Sequence, residues 1–81
     1  MTNTSDYLLR LEKDIAASLY MAPATLDELC ERDFLEYIAD FNVDRILMKL
    51  ENKGWIFVNR EGKYQTYKKV ASRELSEHEL V

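Results

Sequence analysis

The hydrophobic pattern of this 81-residue chain changes period at Gly54, and that change limits the folds open to it. Before Gly54, apolar residues recur at steps of three and four, the spacing of an α-helix that buries one face. After Gly54, residues 55–58 are β-branched or aromatic, and residues 64–67 resume that pattern beyond a polar stretch containing Gly62. These segments predict one β-hairpin. Because a lone two-stranded hairpin is unstable in water, it must pack against the preceding helices.

The first two helices are predicted from apolar spacing and capping signals. The first covers residues 6–20, ends before Pro23, and has an inward stripe formed by Leu8, Leu11, Ile15 and Leu19. Leu9, Ala16 and Tyr20 widen this stripe. The second helix begins at Thr25, which forms a capping box with Glu28. The apolar residues that follow are expected either to extend this helix or to form a second short helical piece on the core; they are Phe34, Leu35, Tyr37, Ile38 and Phe41.

The third helix is predicted over residues 43–53, with Asn42 as its N-cap and Gly54 in the left-handed position after its end. Its inward stripe is Val43, Ile46, Leu47 and Leu50. Residues 71–81 predict either a short helix or a frayed tail. The expected fold is therefore a single α+β domain over residues 1–81, mostly helical, in which three helices precede a two-stranded hairpin and residues 1–5 and 71–81 form frayed or helical tails.

Composition argues against several classes of protein. The only cysteine, Cys30, cannot form an intrachain disulfide and is expected in the core, which fits a reducing, cytoplasmic compartment. The only histidine, His78, has no second histidine or cysteine at metal-ligand spacing, and two glycines are too few for a phosphate-binding loop. No apolar run is long enough to span a membrane. We therefore expect no enzyme activity, no cofactor and no metal.

The charge of the chain is strongly uneven. The net charge is −4, yet residues 43–70 carry seven basic against three acidic side chains, whereas residues 1–42 carry three basic against nine acidic ones. A basic block within an acidic protein matters more than the total, because attraction to phosphate acts over short distances. The alternative at this stage is an ordinary solvated charged surface.

The order of three helices and a hairpin resembles the winged helix-turn-helix family, over about residues 5–70. The most specific part is Val43-x3-Leu47-x2-Leu50-x3-Gly54-Trp55-Ile56, which is similar to the recognition helix and first wing strand of small bacterial, phage and archaeal regulators. The resemblance implies a transcriptional regulator that binds double-stranded DNA, with residues 43–53 in the major groove and a wing of residues 56–70 on the backbone. The separation of Thr25 and Val43 exceeds the family's usual spacing by almost a helical turn, which implies a changed docking angle.

Helical geometry indicates which side chains would contact DNA. Residues between the buried positions of the third helix must point outward, and arginine, lysine and asparagine there can reach base edges or phosphates. Arg60 and Lys63 flank the hairpin tip, and Lys68 and Lys69 follow it. The candidate DNA-contacting residues are Thr25, Asn42, Asp44, Arg45, Met48, Lys49, Asn52, Arg60, Lys63 and Lys68. If five or six phosphates are neutralised, log affinity should fall with log salt at a slope of about −5.

Two further expectations concern partners. A homodimer is predicted through the first helix and the C-terminal segment around Leu75 and Leu80, and its symmetry would read a palindromic site. Asp44 opposes DNA binding because its charge repels phosphate. The alternative function is therefore a protein-interaction module or inhibitor, which would present the acidic surface of residues 1–42 to a basic partner.

Overall fold

The computed structural model describes residues 4–75, with side chains from residue 7 onward. Within this range the fold is α+β and mostly helical, with a two-stranded antiparallel hairpin, as predicted. The described residues contain four α-helices where three were predicted before the hairpin. The fourth begins inside the predicted wing of residues 56–70, and the predicted tail beyond residue 75 lies outside the described residues. The elements are α1 (Thr4–Met21), α2 (Leu26–Cys30), a 3₁₀ turn (Asp33–Leu35), α3 (Asp40–Asn52), β1 (Ile56–Val58), β2 (Tyr64–Thr66) and α4 (Lys68–Arg73).

Helix α1 lies across the core with one face buried. Its buried apolar residues are Leu11, Ile15, Ala16, Ala17 and Leu19. Leu8 was predicted in the same stripe, but it is 41% exposed, because it lines an open groove between α1 and α3. The C-terminal end of α1 is held by Arg32, whose guanidinium donates to the carbonyls of Ser18 (3.0 Å) and Ala22 (2.6 Å). The Ser18 carbonyl also accepts from the Ala22 amide at 3.0 Å, so Arg32 adds a second donor there and supplies a donor to the Ala22 carbonyl just beyond the helix end.

Helix α2 is a single short element, and the apolar residues after it do not extend it. The predicted capping box is present, since Thr25 Oγ1 accepts from Glu28 N and Glu28 Oε1 accepts from Thr25 N. The chain then forms the 3₁₀ turn, in which Leu35 is buried. The expectation that this whole segment packs on the core is wrong for three aromatic residues, which are exposed: Phe34, Tyr37 and Phe41.

Helix α3 begins three residues earlier than predicted, at Asp40. Ala39 is its N-cap, so the prediction that Asn42 caps it is wrong: the Asn42 amide already donates to the Ala39 carbonyl within the helix. The predicted inward stripe is present, with Val43, Leu47 and Leu50 buried and Ile46 half-buried. Gly54 follows the helix with φ +79°, as its predicted role requires.

The hairpin is anchored to the helices at two points. In its register Ile56 pairs with Thr66 and Val58 with Tyr64. Tyr64 also forms an antiparallel bridge with Ala24, between α1 and α2, through hydrogen bonds of 2.8 and 3.2 Å. The buried Thr66 hydroxyl donates to the Ala16 carbonyl of α1 at 2.6 Å. These contacts supply the support that two strands alone lack.

Helix α4 closes the core from the C-terminal side. Val70 and Ala71 are buried, and Leu75 after the helix is fully buried. The prediction that Leu75 contributes to a dimer surface is therefore wrong, because it packs within its own chain. The predictions for His78 and Leu80 fall outside the described residues. In the part of the chain that is described, no helix has the length and apolar character required to cross a bilayer.

The orientation of α3 is tested by substitutions at two neighbouring positions. Leu47→Ala removes a fully buried side chain and should lower the free energy of unfolding by about 2–5 kcal/mol. Met48→Ala removes a side chain that is 56% exposed and should change it by less than about 1 kcal/mol. Urea unfolding followed by circular dichroism measures both. Equal losses at the two positions would contradict this orientation.

Candidate nucleic-acid interface

The outward face of α3 brings several predicted residues together. Because Val43, Leu47 and Leu50 are buried, residues at the other helical angles face solvent. A shallow depression of about 400 Å³ lies on this surface, lined by Arg45, Met48, Lys49, Asn52 and Lys53. Four of these five residues were predicted to contact DNA. Lys53 belongs to the basic block of residues 43–70 but was not among the predicted DNA contacts.

The lysines of this face are held by a carboxylate from α1. Lys53 Nζ donates to Glu12 Oε1 at 2.9 Å, and Lys49 Nζ lies 3.1 Å from Glu12 Oε2. Glu12 is only 3% exposed, whereas the Lys49 side chain is 58% exposed. Burial alone would raise the pKa of Glu12, but the hydrogen bonds and charges of Lys53 and Lys49 outweigh it and lower that pKa. Glu12 therefore stays ionised and neutralises one of the two lysines.

A third paired lysine, Lys63 of the hairpin turn, lies at the N-terminus of α2. Thr25 is occupied by its capping box, and the other oxygen of Glu28 lies 3.6 Å from Lys63 Nζ. The backbone hydrogen bond from Thr25 is the main reason that the pKa of Glu28 is lowered, and the charge of Lys63 adds to it. Thr25 thus caps the N-terminus of α2, and Glu28 neutralises the charge of Lys63.

Asp44 and Glu51 lie on the flank of α3 nearer the hairpin. The two residues are seven positions apart and therefore share one face of α3, whereas Arg45 and Lys49 lie at other helical angles. Burial and the negative charges of Glu51 and Asp44 raise the pKa of Tyr64 in β2. Asp44 is half-buried. Arg45 is exposed, and its Cζ atom lies 5.6 Å from the centroid of the Phe41 ring. The basic and acidic side chains of α3 are therefore on different flanks. Asn42 is exposed and lines a separate groove between α1 and α3.

The remaining predicted contacts are split between the hairpin and α4. Arg60 is exposed in the tight turn, where Asn59 Oδ1 accepts from the backbone amides of Glu61 and Lys63. The predicted wing over residues 56–70 is too long, because the hairpin ends at Thr66. Lys68 is exposed in the first turn of α4.

Two features bear on catalysis. Burial, a hydrogen bond with Asp40 and the negative charges of Asp40 and Asp27 raise the pKa of the Cys30 thiol to about 11. This thiol, half-buried against the core, is therefore protonated at neutral pH and a poor nucleophile. Within residues 4–75, no three histidine, cysteine, aspartate or glutamate side chains form a group that could hold a metal ion.

The role of Glu12 is tested by the pH dependence of stability. Its pKa is lower in the folded than in the unfolded chain, so its stabilising effect is present above the unfolded value of 4.5 and is lost as pH falls through the folded value. We expect Glu12→Gln to lower the free energy of unfolding by about 1–2 kcal/mol at pH 7, with the difference shrinking by pH 3. The exposed Glu31→Gln is the control. A pH-independent difference for Glu12→Gln would contradict the ion pairs.

Sequence reasoning missed Glu12 and Lys53, the residues that set the charge of this surface. The spacing of Lys49 and Lys53 by four residues indicates a shared helix face, but nothing local connects either lysine to Glu12, 41 residues before Lys53. Comparisons of the chain with protein-family models, with curated proteins and with solved structures find no match. What this chain does must be inferred from its own surface.

Proposed function

We propose that this protein binds double-stranded DNA as a small transcriptional regulator of the winged-helix type, without catalytic activity. The outward face of α3 would enter the major groove, and the hairpin turn at Arg60 would contact the backbone. The observation that carries this proposal is the depression on α3, where Arg45, Lys49 and Asn52 converge on an open surface. Arginine and asparagine are the side chains best suited to reading guanine and adenine edges.

The electrostatics of this face are compatible with the proposal despite its ion pairs. One Glu12 carboxylate serves both Lys49 and Lys53, so the three groups together retain one positive charge. Among the described side chains, neither Arg45 nor Arg60 forms an ion pair. Lys49 is exposed, and Lys53 would keep Glu12 paired if Lys49 exchanged that carboxylate for a phosphate.

The winged-helix assignment is supported by the order of elements. Helices α1 to α3 precede the hairpin, Gly54 joins α3 to β1, and the bridge between Ala24 and Tyr64 ties the hairpin to the α1–α2 junction. Helix α4 is an addition to that plan. A cytoplasmic location and a homodimer remain predictions. With Leu75 buried, the dimer would have to use exposed apolar residues of α1 such as Leu9.

Salt dependence provides the first test. With Arg45, Lys49, Arg60 and Lys68 as the phosphate contacts, log affinity for a random duplex should fall with log salt at a slope of about −4, slightly less steep than for five or six contacts. Fluorescence anisotropy titrations between about 50 and 200 mM salt measure this slope. Absence of duplex binding at the lowest salt would overturn the proposal.

Two double variants, each of which removes two positive charges, distinguish specific contacts of α3 with DNA from general electrostatic attraction to DNA. The double variant Arg45→Gln and Lys49→Gln should weaken duplex binding at least about tenfold, since two phosphate or base contacts are lost. The control removes an equal number of positive charges from α1, by Arg10→Gln and Lys13→Gln, and should weaken duplex binding much less. Equal weakening by both pairs would show that net charge, and not the α3 face, determines binding.

A second candidate function is favoured by one observation. The segment after α2 exposes Phe34 (44%), Tyr37 (92%) and Phe41 (67%) among acidic residues, and exposed apolar side chains in such numbers are typical of protein interfaces. Under this alternative the acidic half of the chain contacts a basic protein. Reversing Glu31 and Asp33 to lysine would then abolish capture of that protein, whereas the Arg45 and Lys49 variant would retain it.

A further inference from the structure

A groove between α1 and α3 is separate from the depression proposed to meet DNA, although the two share a rim. Its volume is about 550 Å³, within the range of about 300–1,000 Å³ typical of small-molecule sites. Its apolar lining residues are Tyr7, Leu8, Leu11, Ile38 and Ile46. Its polar lining residues are Glu12, Asn42, Arg45 and Lys49. Of these nine residues, Arg45 and Lys49 also line the depression on α3.

Glu12 and Lys49 form a charged pair at one end of the groove, with apolar surface beside it on α1 and the polar Asn42 farther along α3. Leu8 lies one helical turn from Glu12 on α1, about 6 Å along the axis, and Asn42 lies about 10 Å from Lys49 along α3. Tyr7 and Leu8 are 53% and 41% exposed, so this apolar surface is accessible.

The charged residues that line the groove carry a net positive charge: Arg45 and Lys49, one helical turn apart on α3, against Glu12. The Glu12 carboxylate is already bound by Lys49 and by Lys53, one on each oxygen. Arg45 is exposed and contacts only the face of the Phe41 ring among the side-chain interactions described for it. An incoming anion would therefore meet two cationic donors, Arg45 and the exposed Lys49, while Lys53 keeps Glu12 paired.

We propose that this groove binds an amphipathic anion, a small molecule with an apolar body and a carboxylate, sulfonate or similar head group. The body lies against Leu8, Leu11 and Ile46, where its burial releases water from apolar surface. The head accepts hydrogen bonds from Arg45 and Lys49, which are charge-assisted and therefore stronger than neutral ones. The positive charges of the groove favour this class of ligand over neutral apolar molecules, and its apolar surface favours it over simple anions.

One consequence rests on the proposed DNA-binding function. Arg45 and Lys49 belong to both surfaces, so a bound anion would occupy two cations that the duplex requires. Ligand and DNA would then compete, and the ligand would act as an effector that releases the protein from DNA.

The test uses two dyes that differ by one group. The anion 8-anilinonaphthalene-1-sulfonate fluoresces on entering an apolar site, and N-phenyl-1-naphthylamine has the same rings without the sulfonate. We expect saturable one-to-one binding of the sulfonate dye by the intact chain. The Arg45→Gln and Lys49→Gln variant should bind it about tenfold more weakly while its affinity for the neutral dye is unchanged, because only the head group contacts these cations.

Two further variants locate the site. Leu8→Gln should weaken binding of both dyes, whereas Leu9→Gln, equally exposed but outside the groove, should weaken neither. Arg73→Gln on α4 controls for loss of a positive charge. Circular dichroism verifies that every variant is folded, since loosely packed states also bind such dyes.

Each outcome has a distinct meaning. Equal effects of Leu8→Gln and Leu9→Gln, unchanged affinity in the Arg45 and Lys49 variant, or no saturable binding would overturn the proposal. So would a dimer that dissociates on Leu8→Gln, because a second copy would then cover the groove. Duplex binding without dye binding would refute this inference alone, and dye binding without duplex binding would refute the proposed function alone.

Discussion

Burial of one stripe of α3 is the constraint on which the rest of the structure depends. Val43, Leu47 and Leu50 are fully buried in a core to which α1, α2 and the hairpin also contribute. Because a helix is rigid about its axis, fixing this stripe fixes the direction of every other side chain on α3. The basic flank, the acidic flank and the outermost Arg45–Met48–Asn52 surface follow from it. Any function of α3 is thus determined by packing that involves none of the functional side chains.

Glu12 connects this packing to electrostatics. A carboxylate that is almost fully buried is tolerated only when its charge is paired, and Lys49 and Lys53 provide that pairing. The same contact fastens α1 to α3 and reduces the positive charge that α3 presents to solvent. If α3 binds nucleic acid as we propose, stability and nucleic-acid affinity are in opposition at this residue. In our account Lys49, being exposed, is the group that can serve either purpose.

Local signals in the sequence predicted much of the fold, but they could not predict contacts between segments that are distant along the chain. The Thr25–Glu28 capping box and the change of period at Gly54 depend on neighbouring residues, and both predictions are confirmed. The N-cap of α3 was misplaced because Asn42 is a good capping residue by type, yet the chain enters the helix earlier, at Ala39. The face of α3 could be predicted from its period. Its charge could not, because Glu12 is brought to it only by folding.

The most direct test of the central claim is to follow backbone amide resonances of the isotope-labelled protein by NMR while a short duplex is added. If the outward face of α3 meets DNA, the amides that shift most will be those of Arg45, Met48, Lys49 and Asn52, together with Arg60 in the hairpin turn. Shifts confined to the acidic segment of residues 27–37, or no shifts at low salt, would contradict the account.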